Sequence, residues 1–77
     1  MEKEPPVHEL KEGAVKAAIW RREGKNGVFY QASFTRIFKD EVTGIWRDSP
    51  NFGERDLEPL AKLASQAFSW IQLNKEA

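Results

Sequence analysis

The sequence predicts an α+β domain: a three- or four-stranded antiparallel sheet followed by one C-terminal amphipathic helix packed on one face. Three observations predict it. Residues 14–23 and 28–39 are two β-type runs on either side of Gly24-Lys25-Asn26-Gly27, a hairpin signal. A third, shorter run follows another glycine-containing turn at residues 40–44. Beyond Pro50, apolar residues recur at helical spacing through Ile71.

Residues 1–13 contain Pro5 and Pro6, alternate in charge and end at Gly13. They read as an N-terminal arm, either loose or contributing a short strand around residues 7–10. Residues 14–77 then form a single βββα domain. With Asn26-Gly27 as a type I′ loop, Ile19 opposes Phe34, Val15 opposes Phe38 and Trp20 opposes Ser33. The third strand, residues 45–49, is expected to set Phe38 against Trp46 and Arg36 against Asp48, pairs that stabilise sheets.

This register divides the sheet into two faces. The first carries Val15, Ala17, Ile19, Ala32, Phe34, Phe38 and Trp46, with the Arg36–Asp48 pair, and is the expected core. The second carries Lys16, Ala18, Trp20, Arg22, Gln31, Ser33, Thr35, Ile37, Lys39, Ile45, Arg47 and Ser49. The helix should cover the first. Asp56 is the expected N-cap, because Pro59 then falls in the first turn, where amides have no intrahelical partner. The expected apolar stripe is Leu57, Leu60, Ala61, Ala64, Ala67, Phe68 and Ile71. Leu63, Trp70 and Leu73 lie beside it and widen it, which predicts a homodimer contact through the helix.

Composition narrows the function classes. Seventy-seven residues make one domain, of a size at which a partner subunit often supplements the core. Without cysteine there is neither a disulfide framework nor a thiolate metal site, and one histidine, His8, cannot hold a metal alone. No cofactor is expected. The acidic, proline-bearing start is unlike a secretory signal and no apolar run approaches a membrane span, so a cytoplasmic protein is expected.

An enzyme is not expected either. No Gly-x-Ser-x-Gly or Ser-x-x-Lys motif is present, and Gly24-Lys25 lacks the remaining parts of a phosphate loop. The carboxylates Asp40, Glu41, Glu54, Asp56 and Glu58 sit where turns and helix starts use them.

Charge is zero in sum but uneven along the chain. Residues 14–39 hold six basic residues against the single acid Glu23. On the second face, Lys16, Arg22, Lys39 and Arg47 accompany Trp20 and the polar Ser33 and Thr35, with no acid among them. Cations for phosphates beside a flat ring for an unstacked base are what single-stranded nucleic acid requires. These seven residues are the predicted binding site for single-stranded DNA or RNA. Two alternatives stand beside it: a solvated face in which Lys and Arg stems cover Trp20 and Ile37, and a protein-interaction or regulatory module that uses this face, with Trp and Arg as anchors, or the surplus apolar surface of the helix.

The string Val7-His8-Glu9-Leu10, Gly13 through Trp20, Asn26-Gly27, Tyr30, Phe34, Arg36, Lys39-Asp40, Trp46-Arg47-Asp48-Ser49, Phe52-Gly53, Asp56-Leu57 and Trp70-Ile71 resembles a family of short uncharacterised bacterial proteins. That resemblance spans residues 7–71, implies the domain limits and transfers no functional residue. In layout alone, strands followed by a helix with a basic and aromatic sheet face, the chain is similar to the dimeric single-stranded-DNA-binding domains of the transcriptional-coactivator and Whirly type.

Overall fold

The computed structural model describes residues 5–75. Its elements are β1 (His8–Glu12), β2 (Val15–Gly24), β3 (Gly27–Lys39), β4 (Trp46–Ser49) and α1 (Glu54–Asn74). The strands form one antiparallel sheet in the order β1-β2-β3-β4. The α+β class holds in its four-stranded form, the arm supplying β1. The start of that arm, residues 1–4, lies outside the described residues. β1 turns back into β2 because Gly13, at φ 62°, takes the first central position of a two-residue turn that pairs Glu12 with Val15.

The β2–β3 turn falls where Asn-Gly signals it, but its type differs. A type I′ turn needs φ > 0 at Asn26, and among the described residues only glycines have positive φ. Lys25 and Asn26 are instead the central pair, and Gly27, at φ 119°, takes the unusual conformation. The register therefore slides by two: Ile19 opposes Ala32, Ala17 opposes Phe34 and Trp20 opposes Gln31. A slide of two is the pleat period, so each β2 and β3 side chain keeps its expected face.

The β3–β4 pairing slides by one, with a larger effect. Arg36 opposes Ser49, Phe38 opposes Arg47 and Lys39 opposes Trp46. Asp40 sets this register. Its Oδ1 accepts the amide N–H of Val42 at 2.8 Å and of Thr43 at 3.1 Å. Its own N–H donates to Ile45 O at 2.9 Å, so Asp40 rather than Lys39 faces Ile45. All of β4 is thereby inverted: Trp46 and Asp48 join the second face, and Arg47 and Ser49 the first.

The core lies between β2 and α1. Val15, Ala17 and Ile19 alternate along β2 and are fully buried, and Leu63 and Ala67 come down on them from the helix. Leu10, Phe34, Phe52 and Leu60 close the sides. The buried stripe of α1 is thus rotated from the expected one. Leu63 is central, whereas Leu57 and Phe68 are 52% and 64% exposed. Contacts at both ends fix this rotation. Trp70 stacks on His8 of β1 at 4.9 Å and meets the Tyr30 ring of β3 edge-on at 5.9 Å. Arg36 of β3 donates to Asp56 Oδ2 at 2.7 Å, an ion pair in which Asp56 is largely covered.

The same carboxylate explains the helix start. Gly53, not Asp56, is the N-cap, and Asp56 at the third helical position accepts the Gly53 N–H at 3.1 Å. Pro59 then stands inside the helix and withholds one amide from the ladder.

Replacing Leu63 with Ala should cost about 2–5 kcal/mol of stability, whereas Leu73→Ala, at a position 84% exposed, should stay within about 0.5 kcal/mol. Urea unfolding of both variants checks this; equal losses would overturn the helix orientation.

Candidate nucleic-acid interface

The helix packs on one side only, so the opposite side of the sheet is open along its length. By strand alternation it carries Glu9 and Lys11 from β1; Lys16, Ala18, Trp20 and Arg22 from β2; Phe29, Gln31, Ser33, Thr35, Ile37 and Lys39 from β3; and Trp46 and Asp48 from β4. Six of the seven expected site residues, Lys16, Trp20, Arg22, Ser33, Thr35 and Lys39, share this face. Arg47 does not. It stands on the other face opposite Phe38, and its Nε donates to Asp40 Oδ2 at 3.1 Å.

Trp20 is the organised centre. Its indole N–H donates to Ser33 Oγ at 3.1 Å, and the Arg22 guanidinium lies 5.2 Å from the ring centroid. Arg22 Nε in turn donates to Gln31 Oε1 at 3.3 Å. The ring is held in orientation by Ser33 and roofed by a planar cation, an arrangement with cation–π character. Beside it, Lys16, Ala18, Trp20, Ser33, Thr35 and Asp48, with Pro6 and Glu9, line a shallow depression of about 230 Å³.

Two acids and two aromatics that sequence reasoning placed elsewhere or omitted belong to this face. Asp48 and Trp46 arrive with the inversion of β4, and no sequence signal short of the Asp40 hydrogen bonds foretold it. Glu9 and Lys11 arrive with β1. Phe29 was within reach of simple alternation, being two residues before Gln31 on the same strand. Its ring lies over Gly24, where a Cβ would meet Phe29 Cε1 at 3.2 Å. The face is therefore not acid-free. Lys11, Lys16, Arg22 and Lys39 outnumber Glu9 and Asp48, and Phe29, Trp20 and Trp46 are spread from the hairpin tip to the β4 end. From Phe29 to Lys39 the row spans roughly 33 Å at strand rise.

Among the described residues no group of three His, Asp or Glu side chains is placed to hold a metal ion, and no helix is long and apolar enough to cross a membrane. Compared with known family models, curated proteins and solved structures, the chain matches none.

Asp40 is held more acidic than an ordinary aspartate. The amides of Thr43 and Val42, and then Arg47, hold its carboxyl below the ordinary value of 3.8. A carboxylate depressed in the folded state contributes stability that is complete above its unfolded value and is lost as pH falls through the folded one. The stability gap between the native protein and Asp40→Asn should therefore be constant above about pH 5 and shrink below about pH 4. Urea midpoints across that range would show it, and a gap independent of pH down to acid unfolding would contradict it.

Proposed function

We propose that this domain binds single-stranded DNA or RNA, without catalysis, through the open face of its sheet. The observation that carries the reading is the Trp20 centre: an aromatic ring pinned by Ser33 and roofed by Arg22, with Lys16 lining the depression beside it, on a face that the helix leaves uncovered. Unstacked bases lie on aromatic rings or on guanidinium planes, and cations beside them take the phosphates. The outer surface of the Arg22–Trp20 stack offers both. Lys11 and Lys16 sit across neighbouring strands, and Lys39 extends the cationic row toward Trp46, which is 65% exposed and offers a second platform. Ser33 and Thr35 supply short hydrogen-bonding groups between them.

The acids temper this surface and favour a modest affinity. Glu9 and Asp48 border the depression, so a polyanion is attracted by the row as a whole rather than by a uniformly positive patch.

Fluorescence anisotropy of a labelled single strand should detect salt-sensitive binding. If Lys11, Lys16, Arg22 and Lys39 each neutralise one phosphate, affinity falls about 50-fold between 50 and 200 mM salt, from a log-log slope of about −0.7 per phosphate. Trp20→Ala should weaken binding by about 1–3 kcal/mol. Arg47→Ala, on the opposite face, should leave it unchanged. Absence of binding at low salt would remove the reading; binding lost equally in the Arg47 variant would move it to another surface.

A further inference from the structure

β3 is much longer than the strand beside it. β4 pairs only with residues 36–39, so the outer edge of β3 from Val28 to Thr35 has no neighbour in the described chain. The backbone direction along this edge follows from two bonds. Ile37 N–H donates to Ala14 O toward β2, and Asp40 N–H donates to Ile45 O toward β4. By alternation, the amides and carbonyls of Val28, Tyr30, Ala32 and Phe34 point outward.

Proteins blunt such an edge with charge, proline, a bulge or shortness. Here the eight residues Val-Phe-Tyr-Gln-Ala-Ser-Phe-Thr contain no charge and no proline. The corresponding stretch of β2 beyond β1, without a strand neighbour among the described residues, carries charge: Arg21 and Glu23 form an ion pair there at 3.1 Å. One edge carries charge and the other carries none.

We infer that the covering strand is β3 of a second copy of this chain, added antiparallel about a two-fold axis perpendicular to the sheet at Gln31. This goes beyond the nucleic-acid reading and does not depend on it. In that register Val28 opposes the Phe34 of the other copy and Tyr30 opposes its Ala32. All outward amides and carbonyls of these residues are then satisfied, and each larger side chain faces a smaller one. The other copy's β3 ends at Gly27 just where β4 begins to occupy the edge at Arg36.

The two-fold keeps both helices on the same side of the joined sheet. Lys62 pairs with Glu12 of β1 at 3.4 Å, so the opposite flank of α1, bearing Leu57, Ala64 and Phe68, looks toward β3. Leu57 and Phe68 are the exposed apolar residues of that flank, and they adjoin the new seam from both copies. A stable contact needs about 800 Å² from each partner. In the proposed dimer the strand edge and this flank are what each copy contributes toward that total.

The test is light scattering of the whole chain with variants placed at the seam. The native protein should have twice the chain mass in the micromolar range. Ala32→Pro removes an outward N–H and no bond to β2, and should give a folded monomer by circular dichroism. Gln31→Lys and Gln31→Glu each set like charges opposite one another at the axis and should weaken the dimer about fivefold. An equimolar mixture of the two should restore it as a heterodimer. A native monomer, or a dimer indifferent to the Gln31 charges and not rescued by mixing them, would overturn the inference.

Discussion

Burial of one side of β2 is the constraint from which the rest of the molecule follows. Val15, Ala17 and Ile19 are the fully buried residues of the sheet, and Leu63 and Ala67 are their partners on the helix. Strand alternation makes that burial one-sided: if Val15, Ala17 and Ile19 face the helix, Lys16, Ala18 and Trp20 must face away. The small Ala17 and Ala67 let the helix sit close, and the aromatic clasp of Trp70 with His8 and Tyr30 fixes its far end. At the near end the Arg36–Asp56 pair ties the helix start to β3. These are sparse anchors for a small domain, and the buried side of β2 joins them into one core.

Two surfaces result from that arrangement. The first is the side of the sheet without a helix, where polar and cationic groups remain solvated around a fixed tryptophan. The second arises from width. One helix about 10 Å across cannot cover four strands nearly 5 Å apart, so the flank of α1 and the β3 side of the sheet stay partly bare. The face proposed for nucleic acid and the edge proposed for self-association are thus separate consequences of one packing decision. They meet on β3, where Gln31, Ser33 and Thr35 belong to both, and neither requires the other.

Much of the fold was legible because the signals were local. The β2–β3 hairpin followed from glycine and asparagine, and the two faces of those strands followed from alternation. Both survived a register slide of two, since that shift is invisible to face identity. β4 was not legible in the same way. Its register depends on the Asp40 carboxylate binding the amides of Val42 and Thr43. The strand is short enough that an aromatic pair at Phe38 and Trp46 fits its sequence equally well, and the slide of one exchanges Arg47 for Trp46 on the open face. The helix stripe is not legible for a related reason. Apolar residues span a wide arc of α1, and which part turns inward is decided by Trp70 and Asp56, whose partners are distant in sequence. The centre at Trp20, Arg22 and Ser33 was legible because it draws on the central hairpin alone.

The most direct test of the one-sided core is a map of side-chain proximities by nuclear Overhauser spectroscopy on the labelled protein. The account predicts contacts from the Trp70 ring to His8 and Tyr30, and from the Trp20 ring to Ser33 and Arg22, with none between Trp20 and any residue of α1. Contacts from Trp20 to Leu63 or Ala67 would place the helix on the other side of the sheet and contradict the account at its base.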